Sequence, residues 1–157
     1  MLEAVTRQRF FEDLTVGETF TSGTYEVTAD EIIAFGRRYD PQAFHVDPQA
    51  AQETVFGRLV ASGSHTAAMT MRMFVDSEIG PSDGSLGAGV DALRWIRPVV
   101  PGDVLHLRIE VLRLRRLRSR PDRGMMTLKI ETRNAADELV QTLELHTMVP
   151  RRDGRSA

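Results

Sequence analysis

The apolar positions change period partway along the chain, and that change divides it. Val16-Gly17-Glu18 reads as a turn, and the β-prone residues from Thr19 to Val27 follow it as a strand. Thr28-Ala29-Asp30-Glu31 has the form of a capping box, and Ile32, Phe35 and Tyr39 then recur at helical spacing. Asp40-Pro41 ends that helix, because a residue before proline is pushed out of the α region. Residues 40–61 read as an irregular stretch with one short helix, opened by Asp47-Pro48 and closed at Phe56-Gly57. From Ser64 to Ile79 the sequence predicts a long helix, about 24 Å at 1.5 Å per residue, apolar nearly all round and therefore buried. Its methionines are read as core packing, and Gly80-Pro81 stops it.

The period then shortens to two. After a turn at Pro81–Ser85, Leu86 to Ile96 is strand-like and ends at Arg97-Pro98. Beyond Pro101-Gly102-Asp103, Leu105, Leu107, Ile109 and Val111 alternate with His106, Arg108 and Glu110. The apolar phase slips to Leu112 and Leu114 and again to Leu117, which predicts a bulge that bends the strand. Met126, Leu128 and Ile130 alternate in the next strand. After a turn at Asn134–Glu138, Leu139, Leu143, Leu145 and Val149 share one face of the last. One buried helix followed by four consecutive strands predicts an α+β domain, its antiparallel sheet wrapped around that helix. The whole chain, 1–157, reads as one domain with a core at about 10–149 and a polar tail, 151–157, expected to fray.

Composition narrows the chemistry. The 157 residues contain no cysteine, which removes disulfides, thiolate metal ligands and a cysteine nucleophile. A net charge of -2 gives no general pull toward nucleic acid or membranes. No apolar run approaches a membrane span, and the first residues lack an apolar signal core, so a cytoplasmic location is expected. All the basic residues but Lys129 are arginine, a bias that genomic base composition explains simply. Arg108, Arg113, Arg115, Arg116, Arg118, Arg120 and Arg123 form a cluster read as a solvated strand face and loop, with nucleotide phosphates as a second reading. Nucleic-acid binding is not expected, since no aromatic residue lies between Arg97 and Asp153 to stack on bases.

Two features carry candidate chemistry. Asp40 and His45 are five residues apart, and a carboxylate and an imidazole facing one cavity can hold and deprotonate a single water. That suits adding water to, or removing it from, a double bond beside a carbonyl. Read from spacing alone, a turn residue at Asp40 and a structural histidine at His45 are the simpler reading. Gly63, flanked by Ser62 and Ser64, opens the long helix, where free N–H groups carry partial positive charge and the missing side chain lets a ligand oxygen approach. A plain serine N-cap beside a packing glycine fits the same residues.

The run from Tyr39-Asp40-Pro41-Gln42-Ala43-Phe44-His45-Val46-Asp47-Pro48 through Phe56-Gly57-Arg58-Leu59-Val60-Ala61-Ser62-Gly63-Ser64-His65 resembles the hydratase motif of the MaoC-like dehydratases, which include the (R)-specific enoyl-CoA hydratases. Phe11-Glu12-Asp13-Leu14, Gly89-Val90-Asp91, Leu93-Arg94-Trp95, Pro98–Asp103 and Ser119–Gly124 extend the likeness over residues 10–149. The resemblance implies a hot-dog fold paired as a homodimer. It implies that Asp40 and His45 activate the water and that the Gly63 N–H binds a thioester carbonyl, with Ser62, Ser64 and Gln42 on the substrate side. Gln42 stands where that family carries asparagine, and Pro41 directly follows Asp40. The implied substrate is a 2-enoyl thioester or its 3-hydroxy product, on coenzyme A rather than acyl-carrier protein. No metal or redox cofactor is implied.

Three rivals remain at this point. His45-Val46-Asp47 could supply two ligands of a metal triad, with His65, His106 or His146 as the third. A hot-dog thioesterase could direct water at the thioester carbonyl instead. A non-catalytic acyl-thioester binder would need only the pocket.

Overall fold

The computed structural model describes residues 9–80 and 84–155. Six strands and four α-helices follow one another as β1 (Thr19–Thr21), β2 (Tyr25–Glu26), α1 (Ala29–Tyr39), α2 (Ala43–Val46), α3 (Pro48–Ala51), α4 (Gly63–Val75), β3 (Leu86–Trp95), β4 (Val104–Arg116), β5 (Arg123–Arg133) and β6 (Leu139–Pro150). The strands form one antiparallel sheet in the order β1-β4-β5-β6-β3, with β2 pairing the start of β4. This is the expected α+β architecture, a long sheet against one central helix.

Alternation decides which face each strand buries. Leu105, Leu107, Ile109 and Val111 of β4 meet Met126, Leu128 and Ile130 of β5 and Leu143, Leu145 and Val149 of β6 on the inner face. Met69, Met73 and Phe74 of α4 close over them. Each such side chain contributes about 1.5–3 kcal/mol by leaving water. The register of β4 shifts against β5 between Val111 and Arg113, where the apolar phase slips.

Several expectations need correction. The central helix ends at Val75, because Ser77 donates both its N–H and its hydroxyl to the Phe74 carbonyl and the chain tightens into a turn. Ile79 still packs into the core from that turn, which extended the apparent helical pattern. Nor is this helix buried all round: Met71 is 45% and Val75 60% exposed. The stretch 40–61 holds two short helices, not one, and His45 sits on α2 rather than in a loop. The second of them, α3, stops at Ala51, short of Phe56-Gly57. The start of the tail is tied down at Arg151 and Arg152. Arg151 donates to Glu12 and to the Pro121 carbonyl, and Arg152 donates to Asp13. The turn foreseen at Pro81–Ser85 lies partly outside the described residues.

Candidate active site

Asp40 and His45 meet because two short elements fold back on α1. Asp40 is the C-cap of α1. The chain reverses at Pro41, with the Gln42 N–H donating to the Asp40 carbonyl, and enters α2. Gly36 of α1 allows the close approach: an added Cβ would lie 2.7 Å from the His45 carbonyl oxygen. The segment before α4 holds α2 from the other side. Val60 donates its N–H to Phe44, and its carbonyl accepts from His45 Nδ1 at 2.7 Å.

That last bond sets the histidine. A carbonyl only accepts, so Nδ1 carries a proton and Nε2 is the nitrogen turned toward Asp40. Nε2 lies 3.3 Å from Asp40 Oδ2, and the ring is 5% exposed as a residue. Asp40 Oδ1 accepts from Gln42 Nε2 at 2.7 Å, and Oδ2 accepts from the Ser62 hydroxyl at 2.7 Å. Those two hydrogen bonds, Gln42's first, hold the Asp40 carboxyl below the ordinary carboxylate range against the opposing effect of partial burial. It therefore remains a base well into acid.

Gly63 opens α4 directly after Ser62, so its N–H has no intrahelical acceptor. Ser62 makes no side-chain cap on the helix; its hydroxyl goes to Asp40. The dyad, Gln42, Ser62, Gly63 and Ser64 all line one cleft of about 500 Å³, with Phe44, Phe56 and Trp95 among its apolar walls. The Trp95 indole lies against Gly63, where an added Cβ would come within 2.7 Å of the ring. All six candidate residues named from the sequence thus converge on one cavity. The imagined metal triad finds no such convergence. Asp47 accepts from the N–H groups of Gln49 and Ala50, and among the described residues no three His, Asp or Glu side chains gather as ligands.

Gly36 and the Val60 carbonyl escaped the sequence reading. Their work is done through backbone, and nothing in residue type announces it.

The sequence profile of the MaoC like domain matches residues 12–138. The chain belongs to that family. A MaoC-like dehydratase from Rhodospirillum rubrum has a similar structure, at 44% identity and a TM-score of 0.86, with 92% of this chain and 98% of that one covered. The (R)-hydratase from A. caviae superposes with a TM-score of 0.73 at 26% identity, covering 88% of this chain and 99% of its own. YdeM of Bacillus subtilis is 29% identical over 140 residues, 89% of this chain and 98% of YdeM. The fold of this MaoC like domain is therefore the hot-dog fold. Among its described residues no helix is long and apolar enough to cross a membrane.

Proposed function

We propose that this MaoC-like protein adds water reversibly across the 2,3 double bond of an enoyl thioester of coenzyme A. The observation that carries the reading is the convergence of a carboxylate, an imidazole nitrogen and a helix-terminal N–H on one cleft. Asp40 Oδ2 and the unprotonated His45 Nε2 are both acceptors, so together they take the two hydrogens of one water and turn its oxygen outward. In the hydration direction the dyad removes one proton, the oxygen bonds to C3, and electron density shifts to the thioester oxygen. The Gly63 N–H stabilises that developing enolate, an effect worth roughly 3 kcal/mol for one preorganised donor. His45 takes part in returning a proton to C2, and the dyad ends as it began. Coenzyme A enters as part of the substrate, and the step as drawn calls for no other cofactor.

Kinship with an (R)-hydratase supports the hydration reading over hydrolysis. The reading also carries a cytoplasmic location and a second copy of the chain as partner. β3 supports the pairing: it is an edge strand exposed along nearly its whole length, and edges of this kind invite pairing. The test is incubation of the pure protein with a panel of enoyl-CoA thioesters, read by mass. A gain of one water supports hydration, release of free coenzyme A replaces it with hydrolysis, and no change leaves a binding protein.

A further inference from the structure

Four side chains on four elements form one hydrogen-bonded line from the interior to the cleft. Thr132 Oγ1 of β5 lies 2.7 Å from Thr70 Oγ1 of α4. Gln141 Nε2 of β6 donates to Thr70 Oγ1 at 2.9 Å. Gln141 Oε1 accepts from Trp95 Nε1 at 3.0 Å. An indole N–H only donates, so it fixes which way the Gln141 amide points. Thr132 and Gln141 are 0% exposed and Thr70 is 2% exposed, whereas Trp95 is 55% exposed. Within a single chain, burial therefore does little to immobilise the indole. Its anchors are the bond to Gln141 and its contact with Gly63.

We propose that Trp95 limits the length of acyl chain the cleft accepts, and that Gln141 is the positioning residue that holds it there. The substrate class is a short-chain thioester; this deepens the enoyl-thioester reading and rests on it. An acyl group whose carbonyl sits at the Gly63 N–H meets the indole at once, because the ring lies against that glycine. The space directly behind the ring is filled by polar side chains. They are the Gln141 amide, then Thr70 and Thr132, all desolvated and mutually bonded. A long apolar tail running inward would displace the indole and leave a buried amide unpaired, which discriminates more sharply than lost apolar contact does. The polar line thus makes the wall stiff, where an aliphatic lining would yield.

Binding of saturated thioesters, which cannot be hydrated, separates this inference from the reaction. Calorimetric titration with butanoyl-CoA and dodecanoyl-CoA should show the short chain bound at least about tenfold tighter. In Trp95→Ala and Gln141→Leu that preference should collapse to within about twofold. Trp95 is the sole tryptophan, so its emission reports the wall directly. Gln141→Leu should leave the indole more open to acrylamide quenching. Should Gln141→Leu fail to fold, Trp95→Phe changes only an exposed position, keeps an aromatic ring and drops the N–H donor to Gln141; it should relax the preference in the same direction. Equal binding of both thioesters by the wild type, or a preference unmoved in Trp95→Ala and Trp95→Phe, overturns the inference. Short-chain preference without hydration leaves the inference standing and removes the hydratase reading. Hydration indifferent to chain length does the reverse. A chain that binds neither thioester overturns both.

Discussion

Asp40 and His45 are held by separate hydrogen bonds, and each can be changed separately. On the proposed hydration, Asp40→Asn keeps the shape and loses the base, while His45→Ala removes the nitrogen that would orient the water. Each should lower turnover by ~10²–10⁴ with the thermal melt little changed. Normal rates in both variants would remove the assignment. Gln42 acts on Asp40, not on the chain's geometry: its amide donates to Oδ1 at 2.7 Å. Gln42→Ala and Ser62→Ala each delete one bond to the ionised carboxylate, so each should raise the Asp40 pKa toward its ordinary value. Carbon-detected NMR titration of the carboxyl reads that shift directly. A titration that does not move in either variant would mean that neither bond holds the charge. The pattern Asp-Pro-Gln-x-x-His already placed these residues near each other. It could not show that the Gln42 amide bonds Asp40, because an amide on a flexible stem has several partners within range. Only the backbone reversal at Pro41 selects one.

At the level of elements, the site is a matter of how closely three helices approach. Gly36 lets α2 settle on α1 with the His45 carbonyl 2.7 Å from where a Cβ would sit. Gly36→Ala must therefore push α2 outward and carry the His45 ring away from Asp40. Turnover should fall strongly, and stability should fall by about 1–3 kcal/mol through overpacking. A drop in stability with unchanged turnover would show that α2 relaxes without moving the ring. Gly63→Ala tests the next contact. Its methyl would overlap the Trp95 ring, so the emission of that sole indole and the turnover should change together. Strand alternation made the sheet readable, because its period of two sorts faces residue by residue. The helices around the site were harder. His45 lies in a helix of only four residues, Ala43–Val46, too short to show any period. The end of α4 was misplaced for the opposite reason: Ile79 is buried from a turn yet keeps helical spacing with Val75.

At the scale of the molecule, the central helix also carries a stability device sensitive to pH. His65 of α4 stacks on Phe35 of α1, with ring centroids 4.7 Å apart, and its Nδ1 is buried without a hydrogen-bond partner. Burial is the main force lowering its pKa below the ordinary 6.5; Glu31 opposes the shift and His45 adds to it. The folded chain therefore holds this ring neutral at a pH where the unfolded chain would already protonate it. Between the two pKa values the unfolded state binds the extra proton, so stability rises with pH there. The contribution is fully present above 6.5 and declines as the pH falls from 6.5 toward the folded value. Melting curves from pH 8 to pH 5 should hold nearly level down to about 6.5 and fall below it in the wild type. In His65→Gln, which stacks similarly but does not titrate, that loss should be smaller than in the wild type. The comparison isolates His65, since the other three histidines are present in both proteins. Identical slopes in the two proteins would show that α4 opens before the ring takes its proton. In that case the helix that presents Gly63 to the cleft would be less firmly seated than its buried face suggests.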